Sequence, residues 1–202
     1  MTENRRISDF NAVVAGQGGD GSLTVATILT EMLARRGYHL FKARNVASRI
    51  KGGPAAAMFR GSLTPRGGLG DHFDLLVAFD QEVVDLYADK MATDGIIIHD
   101  ASDGPINRSA LPPTISVFEV PFGRYAVRDL SRDLFKNSLS FGVISRALSL
   151  GETEAVNCLS HTLRRLPPRL LEPNLQAFRL GLEFADEIGL IESAGPWTME
   201  TA

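Results

Sequence analysis

The residues best placed to do chemistry are a set of glycines and the cations that follow them. Gly16, Gly18 and Gly21 stand at Gly-x-Gly-x-x-Gly spacing, with Gly19 and Asp20 between them and Ser22 directly after. Glycine permits a sharp turn and lets backbone amides come close to a ligand, so such a loop ahead of a helix can hold a phosphate or another anion. The plainer use of the same residues is a tight strand-to-helix crossover, with Ser22 or Asp20 capping the helix and no ligand. A second loop gathers Arg49, Lys51, Gly52 and Gly53, and Arg60 closes the apolar stretch after it. If the two loops share one edge of a sheet, they form a clamp for a carboxylate or phosphate. Solvated loop charges are the alternative for Arg49 and Lys51.

A dinucleotide fits this pattern poorly. NAD sites place an acidic residue about 20 positions after the glycines to take the ribose hydroxyl, and here that stretch offers Lys42, Arg44 and Asn45. Asp20 would also repel a pyrophosphate lying across the loop. NADP would require Lys42 or Arg44 to meet its 2′-phosphate.

The elements that must position these loops follow from apolar periodicity. Asn11 to Ala15 is a short apolar run feeding the first glycine loop, and residues from Ser22 to Gly37 repeat apolar side chains at helical spacing. Strand-like stretches start at Tyr38 and end near Ser62. The continuous apolar runs Phe73 to Phe79 and Gly95 to His99 flank a helix-like segment starting at Gln81, as central parallel strands do. Ile115 to Phe122 predicts one more strand, and helices are expected over 134–150, 152–165 and 175–188. The sum is an α/β, Rossmann-like three-layer domain over residues 11–190, with a mostly parallel sheet and a helical C-terminal part. Residues 191–202 read as a tail or linker.

Catalytic groups are harder to find. There is no Gly-x-Ser-x-Gly elbow and no Cys-x-x-Cys pair. The histidines at 39, 72, 99 and 161 are scattered, and Cys158 lies in a helical pattern as a core thiol would. Asp80 and Glu82 stand where a strand becomes a helix, as caps do. We therefore expect no catalytic residue and no metal site on this chain; a ligand-ready edge without an acid, base or nucleophile assists chemistry that another group performs. The net charge of -3 and pI near 5.8 give no field for nucleic acid or an anionic membrane. No apolar run approaches the roughly 18 residues of a membrane span, and the start MTENRRISDF has no leader-like apolar stretch. A cytoplasmic protein is expected.

Taken in order, VVAGQGGDGSLTVATILTEMLARRGY, NVASRIKGGPAAAMFR and FDLLVAFDQE resemble the gamma subunit or gamma domain of 2-oxoacid:ferredoxin oxidoreductases. The resemblance runs over roughly residues 11–190, and EPNLQAFRLGLEFA is similar to the helix that closes that domain where it is fused to a larger chain. It departs from the family pattern at Lys51, where an arginine is expected; the charge is kept and the planar bidentate donor is lost. The resemblance implies oxidative decarboxylation of a 2-oxoacid to an acyl-CoA, with electrons passed to ferredoxin. It implies thiamine diphosphate, Mg and iron–sulfur clusters on alpha, beta and delta-type or ferredoxin partners, none of them on this chain. Coenzyme A is then a co-substrate that the glycine-loop edge helps to hold, and the isolated chain is inactive. The rival expectations are a free-standing NADP-type regulator or reductase and a purely structural interface subunit.

Overall fold

A computed structural model describes residues 5–18, 21–46, 53–109, 111–130, 135–191 and 197–201. Its centre is a six-stranded sheet in the order β3-β4-β2-β5-β6-β7. The strands are β2 (Asp9–Gln17), β3 (His39–Val46), β4 (Pro54–Ser62), β5 (Phe73–Ala78), β6 (Met91–Asp100) and β7 (Ser116–Val120). β2, β5, β6 and β7 pair in parallel, while β4 is antiparallel to both β2 and β3. Five strands thus run one way and β4 alone runs back, so the sheet is mostly parallel as expected. The reversal of β4 has a simple cause: only residues 47–53 separate β3 from β4 in the sequence, and a parallel return would need a crossover of a dozen or more residues.

The sheet is buried on both faces, which explains why its strands read as unbroken apolar runs. Ala12, Val14, Leu75, Val77, Ile96 and Ile98 face the larger core; Val13, Ala15, Leu76, Ala78 and Ile97 face the smaller one. On the first face lie α1 (Ser22–Arg35), α3 (Phe122–Leu130), α4 (Lys136–Ala147), α5 (Glu152–Thr162) and α6 (Leu171–Glu187). On the second, α2 (Gln81–Tyr87) contributes Val83, Val84 and Tyr87. This is the three-layer arrangement.

α4 and α6 cross so closely that glycine is required at the contact. A Cβ on Gly142 would lie 2.2 Å from the carbonyl oxygen of Phe178, and one on Gly181 would lie 2.1 Å from that of Leu139. Cys158 of α5 is fully buried, and burial pushes its thiol above the usual cysteine range, which keeps it unreactive.

Several boundaries differ from the sequence reading. Pro173 lies in the first turn of α6, where its missing N–H costs nothing, so that helix begins at Leu171 and not at 175. The strand predicted to reach Phe122 stops at Val120, and Phe122 opens α3, in which it buries itself together with Ala126 one turn on. β6 starts at Met91 because α2 tightens into a 3-10 turn over Ala88–Lys90. The polar start and the stretch read as a tail carry strands of their own. β1 (Arg5–Ile7) and β8 (Trp197–Met199) pair in parallel. Trp197 is 2% exposed, and Tyr38 donates its hydroxyl proton to the carbonyl of Ile7. A tryptophan in an otherwise polar stretch was the signal for that anchor.

Candidate functional site

From β2 the chain crosses through α1 to β3 on one side, while β5 lies on the other side of β2. The crevice outside the carboxyl ends of β2 and β5 is therefore the topological switch point, where open α/β sheets bind ligands. The first glycine loop is built there. Gly16 pairs with Ala55 inside the ladder. The amide of Gly18 donates to the carbonyl of Gly53 at 3.0 Å, which ties the two glycine loops together. They share this edge because β4 runs backwards and so begins where β2 ends.

Gly21 adopts φ 87° as the N-cap of α1, and its carbonyl accepts from Thr24 N at 2.8 Å. That left-handed conformation suits glycine. A Cβ would also lie 1.9 Å from Nδ2 of Asn137, whose side chain reaches over from α4. The Oδ1 of Asn137 is buried and finds no donor among the described residues. Ser22 is the first residue of the helix, buried at 1% exposure, and is not its N-cap.

Next to the loop, the carboxamide of Gln17 donates to Asp80 Oδ2 at 3.1 Å and to Glu82 Oε2 at 3.2 Å. Asp80 also caps α2 by accepting from Val83 N at 2.9 Å, the role expected for it. The amide thus bridges two carboxylates that would otherwise repel each other beside the loop.

The expected site residues are brought together only in part. Gly16, Gly18, Gly21, Ser22 and Gly53 gather at this edge. Gly19, Asp20, Arg49, Lys51 and Gly52 lie outside the described residues. Arg60 is not there: it is opposite Asn11 in the ladder, at the far end of β4, because the reversed strand carries its C-terminus to the other edge. There it makes a two-pronged pair with Asp9, with both contacts at 2.8 Å, and Arg66 adds a third at 2.9 Å. The Arg60 guanidinium, with help from Arg66, holds the Asp9 carboxyl below the usual range. Lys42 does not face a ribose site either; its Nζ donates to Thr30 Oγ1 at 3.0 Å, against α1.

The sequence reading also missed a cleft on the same edge, beyond β5. Its cavity measures ≈ 550 Å³ and is lined by Phe79, Asp100, Ser102, Arg124, Arg128 and Lys136 among others. Arg124 and Arg128 are four apart on α3, a helix whose first residue the sequence analysis placed in a strand and whose remainder it left unassigned; the spacing was the available signal. His99, beside Asp100 at the end of β6, is 3% exposed, and burial holds its imidazole below the usual histidine range. Its Nδ1 has no partner among the described residues. Among those residues no three His, Cys, Asp or Glu side chains gather as metal ligands would, and no helix is long and apolar enough to cross a membrane.

Comparisons with known proteins agree with this architecture. The sequence model of the family described as pyruvate ferredoxin/flavodoxin oxidoreductase matches residues 11–184. A 2-oxoglutarate synthase subunit KorC from Archaeoglobus fulgidus is 22% identical over 191 residues, covering 89% of this chain and 90% of its own. The fold is similar to a 2-oxoglutarate:ferredoxin oxidoreductase from Magnetococcus marinus, solved with 2-oxoglutarate, coenzyme A and succinyl-CoA bound. That match has a TM-score of 0.84 at 24% identity over 96% of this chain, and the chain spans 33% of the length of that longer one. The keto/oxoacid ferredoxin oxidoreductase gamma subunit from Geobacter sulfurreducens matches with a TM-score of 0.71 at 21% identity, over 88% of this chain and 99% of its own.

Proposed function

Because this chain belongs to the pyruvate ferredoxin/flavodoxin oxidoreductase family, we propose that it serves as the gamma subunit of a 2-oxoacid:ferredoxin oxidoreductase complex that oxidatively decarboxylates a 2-oxoacid to an acyl-CoA. In this reading thiamine diphosphate with its Mg ion and the iron–sulfur clusters reside on alpha, beta and delta-type partners, and electrons leave to ferredoxin. The chain supplies the glycine-loop edge, at Gly16, Gly18, Gly21 and Gly53 with Arg49 and Lys51, as a surface against the thiamine-binding chains and as part of the coenzyme A pocket. It works in the cytoplasm.

The observation that carries this reading is the hydrogen bond from Gly18 to Gly53, which joins the two glycine motifs at the ligand-binding edge of the sheet. Coenzyme A in the Magnetococcus relative supports the pocket, and the 2-oxoglutarate named for the relatives from Magnetococcus marinus and Archaeoglobus fulgidus favours that 2-oxoacid. The NADP reading is not favoured: Lys42, one of the two cations it could use, is turned onto α1.

The test is a pull-down of the tagged chain from native cells, with mass spectrometry and an assay for viologen reduction. Thiamine-binding and iron–sulfur partners, with reduction that needs both a 2-oxoacid and coenzyme A, are expected. Recovery of the chain alone, without that activity, would overturn the proposal.

A further inference from the structure

We propose that the cleft beyond β5 is a binding site for a nucleotide-like organic phosphate, separate from the glycine loops. The cleft opens outside the carboxyl ends of β5 and β6 and measures ≈ 550 Å³, which falls within the roughly 300–1,000 Å³ of small-molecule sites. Its walls have two chemistries. One is cationic: Arg124 and Arg128 from α3 and Lys136 from the first turn of α4. Arginine suits phosphate because its planar fork donates two parallel hydrogen bonds, and lysine adds a point charge. The first turns of both helices line the cleft, so their dipoles add positive potential at the same place.

The second chemistry is apolar. Phe79 lines the cleft at the end of β5, 8% exposed, with Lys136 Nζ 5.7 Å from the ring centroid. Val127 is 56% exposed, although valine gains by burial, and it lines the same space. An apolar wall beside cations matches a ligand with a flat apolar part and a phosphate, as a nucleotide has. Two acids line the cleft among the described residues. Asp100 is turned inward, its Oδ1 accepting from Ser102 N at 3.0 Å and from the Ser102 hydroxyl, which in turn accepts from Arg124 N at 3.1 Å. Among the described residues that line the cleft, Asp103 is the other carboxylate, at the rim, that a phosphate must avoid.

None of Gly16, Gly18, Gly21 and Gly53 lines the cleft, so this site does not depend on their holding coenzyme A. The two ideas fail separately.

The experiment is calorimetric titration of the full chain with ADP, pyrophosphate and coenzyme A. ADP is expected to bind. The Arg124→Ala/Arg128→Ala double variant should weaken it by about tenfold or more, the size of losing charge-assisted hydrogen bonds, while Gln17→Ala leaves it unchanged. Val127→Asp guards against misfolding, because this exposed residue belongs to no core, and the new carboxylate should weaken ADP as well. Coenzyme A that competes with ADP and is lost in the same variants identifies its nucleotide end as a source of the phosphate; ADP without coenzyme A identifies a free nucleotide. No ADP binding, or binding unchanged in both the double variant and Val127→Asp, overturns the proposal.

Discussion

At the amino end of β2, Asp9 takes hydrogen bonds from two arginines, the amide of Asn11 donates to Asp74 at 2.8 Å, and the Asn11 side chain accepts from Gly70 at 2.7 Å. At the carboxyl end of the same strand, Gln17 bridges two carboxylates in solvent, Gly21 holds a left-handed turn, and Asn137 has a buried oxygen that finds no donor among the described residues. One end is closed by side chains that satisfy each other. The other is held by backbone, with its polar side chains exposed or incompletely paired. The contrast teaches where stability and ligand recognition divide in this sheet: the ladder is continuous, and only its two edges differ.

The largest effect is expected where the carboxyl end is rigid. Gly21→Ala forces an alanine to φ 87° and displaces Asn137, which should cost about 2 kcal/mol in chemical denaturation. At the amino end, Asp9→Ala leaves Arg60 and Arg66 without their carboxylate and should cost about 1–2 kcal/mol, with activity of the assembled complex unchanged. An equal loss of activity would erase the division between the edges.

Acid should weaken the protein in two stages. Burial holds His99 below its ordinary 6.5, so the unfolded chain binds its proton first, and stability falls as pH drops from that value toward the folded one. Asp9, lowered by Arg60, and Glu31, lowered on balance by Arg35, Thr162 and His161, add stability that is present above their unfolded values of 3.8 and 4.5 and is lost below them. Denaturation midpoints followed from pH 7.5 to 3 should show both steps, and His99→Gln should flatten only the first. The smallest effect on stability is expected for Gln17→Ala, within about 0.5 kcal/mol because its partners are exposed. The same change should raise the KM for coenzyme A if the carboxyl end is the ligand edge.

Much of this was legible in the sequence. The unbroken runs at Phe73 and Gly95 announced strands covered on both faces, and the two glycine motifs announced loops that do meet, through Gly18 and Gly53. What escaped was direction. Periodicity reports which residues are buried and says nothing of which way a strand runs, so Arg60 was expected beside the loops and lies at the opposite edge. α3 escaped because Gly123, Arg124 and Arg128 dilute its apolar face to Phe122 and Ala126. The cleft escaped with it, since its lining comes from β5, β6, α3 and α4, and no local spacing unites them.

The parallel pair β1 and β8 fixes where the chain can be handled. Met199 lies opposite Ile7, and Arg36 at the end of α1 donates to its carbonyl. Both Ile7 and the end of α1 lie at the amino edge, so the C-terminal strand leaves from the pole opposite the glycine loops. An affinity handle or a surface tether attached there would present the glycine edge and the cleft outward, leaving both open to partners and to small ligands at once.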